Sequence, residues 1–238
     1  MLILRLETMK KTQEIQEQLQ KLTENLVERS PFFAFWTPAN ITPELSKKFL
    51  LSFDVLVNSF PSLIAAGASR MEDENSRAVL SVNLYQECGE GNLDRTHHAI
   101  YRKFLKTAGF DLTSLPENPF AINWKNRLLD YLQQAETGSV LGALAAGEFL
   151  AQPALGRLYP ILKDHYPQAD SEYFTKHLTL ETEHVEEITT LIASFAKKEQ
   201  GLEEVVRGFE FGLSVWETYF NHLHHYTTGN LLPFMAQH

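Results

Sequence analysis

The sequence predicts an all-α fold, and three observations carry that prediction. Apolar residues recur at three- and four-residue intervals along most of the 238 residues. No strand-like alternation bounded by hairpin turns is sustained anywhere. Capping and proline signals fall where the periodic segments begin, as in Thr42-Pro43-Glu44.

The elements follow in order. Residues 9–29 are a polar first helix, rich in Gln and Glu, that ends before Ser30-Pro31; the FFAFW cluster after it, 32–36, reads as an aromatic anchor. Thr42 as N-cap and Pro43 in the first turn open a helix that runs to about Ser69. Another spans about 73–88 and carries Arg77, Leu80, Leu84 and Glu87 at helical spacing. Gly89 and Gly91 break it. Asp94 is the expected N-cap of a helix over 95–108, closed by Gly109, and 111–119 is a loop. Helices over about 121–135, 138–165, 170–199 and 201–227 complete seven or eight in all. No repeat, low-complexity tract or linker interrupts them, so a single domain spanning 1–238 is expected.

Composition narrows the partners. With 21 basic against 30 acidic residues the formal net charge is −9, and no basic block exceeds pairs such as Lys10-Lys11 and Lys197-Lys198; a nucleic-acid partner is not expected. Cys88 is the sole cysteine, so no internal disulfide can form, and a reducing cytoplasm is the expected location. Its expected role is that of a buried small apolar residue. The opening MLILRLETMKK lacks a small-residue cleavage site and reads neither as a secretory signal nor as a membrane span. The most membrane-like stretch, Val140–Leu155, is short and holds Glu148 near its middle, so it reads as a buried core helix and no membrane association is expected.

The strongest chemical signal is HLTLETEH, in which His177, Glu181 and His184 stand at i, i+4 and i+7. At about 100° per residue they share roughly 60° of one helix face. Two imidazoles and a carboxylate stacked over two turns suit a metal; a solvated polar face, with Glu183, Glu186 and Glu187 nearby, is the competing reading. Glu148 adds to the first, since Leu141, Leu144, Ala145, Phe149 and Ala151 surround it with apolar sequence. An ionised carboxylate there costs several kcal/mol unless it is paired or binds a metal. Glu87 and His97 are ten residues apart, roughly 15 Å along an unbroken helix. They can share a site only if the Gly89-Glu90-Gly91 break turns the chain back.

Glu87, His97, Glu148, His177, Glu181 and His184 together offer three carboxylates and three imidazoles. That set suits two iron or manganese ions better than one zinc, because carboxylates bridge ion pairs while imidazoles complete each shell. Glu181 with His184 is the one Glu-x-x-His pair, whereas a ferritin-like bundle uses two. His98, next to His97, reads as a surface or supporting group. Tyr85 and Tyr101 read as core or rim residues, and His222, His224 and His225 as a solvated helix end. No phosphate loop, nucleophile elbow or dinucleotide fingerprint is present.

An acid, a glycine-rich break and a histidine, then Gly147-Glu148 on a helix of small residues, then His177-x3-Glu181-x2-His184, resembles the haem-oxygenase-like diiron oxidase family, which includes CADD-like proteins and is related in fold to TenA and PqqC proteins. The resemblance extends from FFAFW and SFPSLIAAGA (59–68) to the final helix. It implies a haem-oxygenase-like helical bundle in which those six residues hold two irons that activate dioxygen, with manganese as an alternative metal and no haem. It further implies a small organic substrate and a homodimer. Glu181 stands where several relatives have aspartate. Leu158 and its neighbours offer no lysine ten or so positions after Glu148, so the self-sacrificing para-aminobenzoate chemistry of CADD-like proteins is not implied. The alternative is a metal-free TenA-like or PqqC-like enzyme of the same fold, with thiamin-related or cofactor-biosynthesis chemistry, for which Cys88 is the sole candidate nucleophile.

Overall fold

The computed structural model describes residues 2–113, 118–198 and 200–229, with the side chains of all of these except 2–11, 180–183 and 227. Among the described residues there are nine α-helices and no strand: α1 (Leu2–Arg29), α2 (Pro31–Phe35), α3 (Pro43–Arg70), α4 (Glu74–Glu87), α5 (His97–Thr107), α6 (Pro119–Gln134), α7 (Thr137–His165), α8 (Glu172–Phe195) and α9 (Gly201–Thr228). The all-α prediction holds.

The helix starts follow from local chemistry. The Thr42 hydroxyl accepts from the Leu45 amide and Pro43 fills the first turn of α3, while Asp73 accepts from the Ser76 amide to open α4. Several boundaries depart from the sequence reading. Helix α1 begins at Leu2 rather than near residue 9, and the aromatic anchor is itself a short helix, with proline in its first turn. Helix α5 is capped by Thr96, whose side chain accepts from Ala99, not by Asp94, which lies in a separate 3-10 turn over Leu93–Arg95. Helix α6 starts two residues early because Asn118 accepts from the amides of Phe120 and Ala121. At the other end of α5, Gly109 takes φ 86 and terminates the helix as expected.

Helix α7 is the axis of the fold. Helices α8 and α9 lie along it, and α3 packs against α4, α5, α6 and α7. The α7–α9 approach is close enough that a Cβ on Gly142 would enter the Val205 carbonyl oxygen, and one on Gly208 would enter that of Ser139. A buried hydrophobic cluster draws on every α-helix. Its aromatic end justifies the anchor: Phe32 stacks on Phe220 at 5.2 Å and Trp36 meets Phe49 at 4.8 Å. By length and composition, α3 is the one described helix that could cross a membrane, but more than half of that stretch is buried within the chain.

Candidate metal centre

Glu87 closes α4 and His97 opens α5, so the site depends on how the ten-residue gap is folded. Gly89, Glu90 and Gly91 take φ values of 77, 56 and 87, three consecutive left-handed residues that reverse the chain. A Cβ on Gly89 would lie 2.6 Å from the Thr96 nitrogen, so only glycine lets the two ends approach this closely. The Tyr85 hydroxyl donates to the Glu90 carbonyl at 2.8 Å and holds the reversal from outside. Inside, Asp54 on α3 accepts from Arg102 Nε and Nη2, at 3.0 and 2.9 Å, and lies 3.0 Å from His98 Nε2, tying α5 to α3. Burial alone would raise the Asp54 carboxyl, but the hydrogen bonds from His98 and Arg102 outweigh it and hold the group below the usual range. His98 is thus a supporting group, as its sequence position suggested.

The result brings Glu87, His97 and His177 together: one ligand atom from each lies within 4.8 Å of the others, and all three residues are buried. His97 Nδ1 is 2.7 Å from Glu87 Oε2. The contact lacks hydrogen-bond geometry, since both ring nitrogens of His97 are buried without a hydrogen-bond partner. A nitrogen and a carboxylate oxygen this close, without hydrogen-bond geometry, are arranged as neighbouring ligands of one cation are. On His177 the other nitrogen is occupied, Nδ1 donating to the Tyr173 carbonyl at 2.6 Å. That bond fixes the tautomer and leaves Nε2 as the coordinating atom, the usual arrangement for a metal-binding imidazole.

Glu148 and His184 extend the cluster. Glu148 is buried in mid-α7, as expected, with Oε2 3.5 Å from His184 Nδ1 and Oε1 accepting from Asn83 at 3.0 Å. His184 Nε2 donates to Gln86 Oε1 at 3.0 Å, while its buried Nδ1 has no hydrogen-bond partner. Five of the six residues singled out in the sequence are thus buried in one region, drawn from α4, α5, α7 and α8. The sixth, Glu181, is in α8, but its side chain lies outside the described ones. Sequence reasoning missed Asn83 and Gln86. With Glu87 they stand at i, i+3 and i+4, so α4 supplies one candidate ligand and the groups that orient two others; that spacing beside a ligand was the available signal.

Burial sets the protonation states of the metal-free cluster. Desolvation lifts the Glu87 carboxyl to about 7, with His177 pulling it down and Glu148 pushing it up. It drives His97 down to about 3, helped by Lys176 and His184, and His177 to about 4, helped by His97. Both imidazoles are therefore neutral at pH 7, with lone pairs free to coordinate. Burial also pulls His184 down, but the Glu148 carboxylate more than offsets this and its net shift is upward.

A cavity opens onto the cluster. Glu87, His97, Glu148 and His177 line one part; the remaining walls come from α3, α7, α8 and α9 and include Leu56, Phe60, Ala154, Tyr173, Trp216 and Phe220. Cys88, expected to be buried, is exposed instead. It caps the C-terminus of α4, about 100° around the helix from Glu87, and does not line the cavity. Tyr101 is fully buried and donates to the Leu50 carbonyl, whereas Tyr85 is exposed on the outer face of α4.

Comparisons with known proteins agree with this arrangement. A model of the family described as iron-containing redox enzymes matches residues 47–217, well over half of the chain. Among solved structures, the chain is similar to a CADD-like protein of unknown function from Nostoc punctiforme, with a TM-score of 0.74 at 14% identity over 90% of this chain and 99% of that one. It is also similar to a domain of unknown function with a haem-oxygenase-like fold from Shewanella denitrificans, TM-score 0.70 at 16% identity over 94% of each chain. A TenA homologue from Pyrococcus furiosus gives 0.66 at 20% identity over 87% of this chain and 98% of that one. At these identities the structural likeness shows the fold. No curated protein matches the sequence.

Proposed function

Since this chain belongs to the family of iron-containing redox enzymes, we propose that it is an oxygen-activating non-haem oxidoreductase that holds two iron ions and oxidises a small organic molecule in the adjoining cavity. The observation that carries the reading is the pair of buried imidazoles that meet carboxylates without hydrogen-bond geometry, His97 at Glu87 and His184 at Glu148. Buried polar atoms are almost always hydrogen-bonded, so imidazoles and acids that meet buried without such bonds are fitted to a shared cation. Glu87, His97, Glu148, His177, Glu181 and His184 would hold it. Three carboxylates offset much of the charge of two divalent ions, and an oxygen- and imidazole-rich set suits iron or manganese. When bound, the ions supply the electrons and the open positions with which dioxygen is activated.

The chain's own residues do the rest. The Tyr173 carbonyl and Gln86 hold the His177 and His184 rings in one tautomer each, and Asn83 steadies Glu148, so the ligands are oriented before metal arrives. Glu87, protonated in part at neutral pH, gives up its proton as metal enters. The apolar walls exclude water beside the cluster, which protects a reactive site from side reactions. A metal-free reading of the same fold needs another reactive group, and Cys88 faces solvent outside the cavity. A homodimer in the cytoplasm belongs to the same proposal.

The test is metal content per chain after anaerobic reconstitution with ferrous iron and removal of weakly bound metal. Two irons per chain, with an optical change on exposure to oxygen, is the expected result; no retained metal overturns the reading. His184→Ala should lose iron while keeping its helical circular dichroism.

A further inference from the structure

Outside the four cluster residues, the described residues of the cavity wall offer a ligand almost nothing polar. Helix α3 contributes Phe53, Leu56, Val57 and Phe60, α9 contributes Trp216 and Phe220, and α7 contributes only aliphatic side chains beyond Gly147. Beyond the cluster, Tyr173 and the Trp216 indole carry the remaining polar atoms of the described lining side chains. No lysine, arginine, serine, threonine, asparagine or glutamine lines the cavity among the described residues. A hydroxyl, ammonium or carboxylate on the body of a ligand would thus be stripped of water without a partner, a strongly unfavourable exchange.

The shape is restrictive too. Gly147, Ala151 and Ala154 stand at i, i+4 and i+7, one face of α7, and all three line the cavity. The space they leave is bounded opposite by aromatic rings: a Cβ on Gly147 would lie 2.9 Å from the Phe60 ring and 3.7 Å from the Trp216 indole nitrogen. The cavity measures about 70 Å³, less than half of the roughly 150 Å³ that admits a benzene ring. A slender body fits with less displacement of the walls than a ring does.

We propose that the substrate has a slender, uncharged, apolar body whose single polar group sits at the Glu87–His97–His177 end, and that Ala151 and Ala154 set the length and thickness it can have. This rests on the metal reading only for what the polar end meets; the walls select the body whether or not metal is bound. Zwitterionic amino acids, sugars and nucleotides are excluded by the same walls.

The probes are linear 1-alkanols from ethanol to hexanol and the α,ω-diols of equal length, titrated into metal-free and ferrous-loaded protein and followed by Trp fluorescence and thermal shift. Each added methylene of the alkanol should tighten binding about fourfold until the cavity is filled, and a diol should bind at least tenfold more weakly than its alkanol. In Ala154→Phe the gain should stop at a shorter chain. Ala151→Leu, a smaller intrusion, provides the same reading should the phenylalanine variant not fold. Diols binding as tightly as alkanols, or a length series unchanged in both folded variants, overturns the proposal. A protein that retains iron but shows a flat series fails this proposal alone; one that shows the series but retains no iron fails the metal reading alone.

Discussion

Gln86 Oε1 accepts a hydrogen bond from His184 Nε2 across 3.0 Å, between helices α4 and α8. The bond decides which nitrogen of His184 faces Glu148, and so makes a surface-adjacent amide part of the candidate metal centre's construction. Gln86→Leu should leave Nε2–H buried and unpaired, free the ring to rotate, and lower iron affinity by about 10- to 100-fold, with the helical spectrum unchanged. Competition against a chelator measures this; an affinity equal to that of the parent chain would mean that His184 needs no such support.

Burial of Glu87 costs the metal-free fold stability at neutral pH. Its carboxyl is raised to about 7 in the folded chain, so it binds a proton that the unfolded chain has released. Metal-free stability from this group is therefore lost as pH climbs from the unfolded value near 4.5 through 7. Glu87→Gln should make the metal-free protein more stable above pH 7, by on the order of 3 kcal/mol for the 2.5-unit difference, with the gain shrinking towards pH 4.5. The same variant should lose iron. Denaturant unfolding at pH 5 and pH 8 with chelator present checks the sign.

Metal uptake should release protons, more of them at low pH. At pH 6 Glu87 is largely protonated and must ionise to coordinate, whereas His97 and His177, held at about 3 and 4, have none to give. The release should fall as pH rises past 7. Calorimetry in buffers of different ionisation enthalpy counts these protons, and Glu87→Gln should release fewer at pH 6.

The chain reversal contains both a required and a dispensable strain. Gly89→Ala places a Cβ 2.6 Å from the Thr96 nitrogen at φ 77, and should cost about 1–3 kcal/mol together with iron binding. Glu90 is left-handed at φ 56 with its side chain exposed, so Glu90→Gly should be neutral or stabilising by up to about 1 kcal/mol. Thermal unfolding of the two variants should move in opposite directions.

Cys88→Ser should leave iron content unchanged, and a thiol reagent should label the loaded protein without displacing metal, because Cys88 is exposed and off the cavity. Loss of iron on labelling would place the thiol nearer the site than the structure does.

Much of this site was legible in the sequence. The i, i+4, i+7 spacing put His177 and His184 on one face of α8, and a lone acid in an apolar stretch identified Glu148. The glycines marked where Glu87 and His97 are folded together. Less legible was whatever depends on end geometry. Thr96 outcompetes Asp94 as a cap because Asp94 is held in its own 3-10 turn, and two adjacent candidate caps look alike in a string of letters. Cys88 was misplaced for a related reason: one residue past a buried glutamate, the helix has ended and its next side chain turns to solvent. For Asn83 and Gln86 the spacing beside Glu87 placed them on the same face of α4, but their partners across helices, Glu148 and His184, are set by packing that spacing does not encode.

The three left-handed residues between α4 and α5 also bear on how this chain can vary. Surface connections ordinarily accept insertions and deletions with little loss. Here both ends of the connection are candidate ligands, Glu87 as the last residue of one helix and His97 as the first of the next, and Gly89 packs against the Arg95–Thr96 peptide, one residue short of His97. A residue added or removed anywhere in 88–96 would shift one ligand against the other by more than a coordination bond can span. The segment is a gauge of fixed length on the outside of the protein, free to change its letters at several positions but not their number.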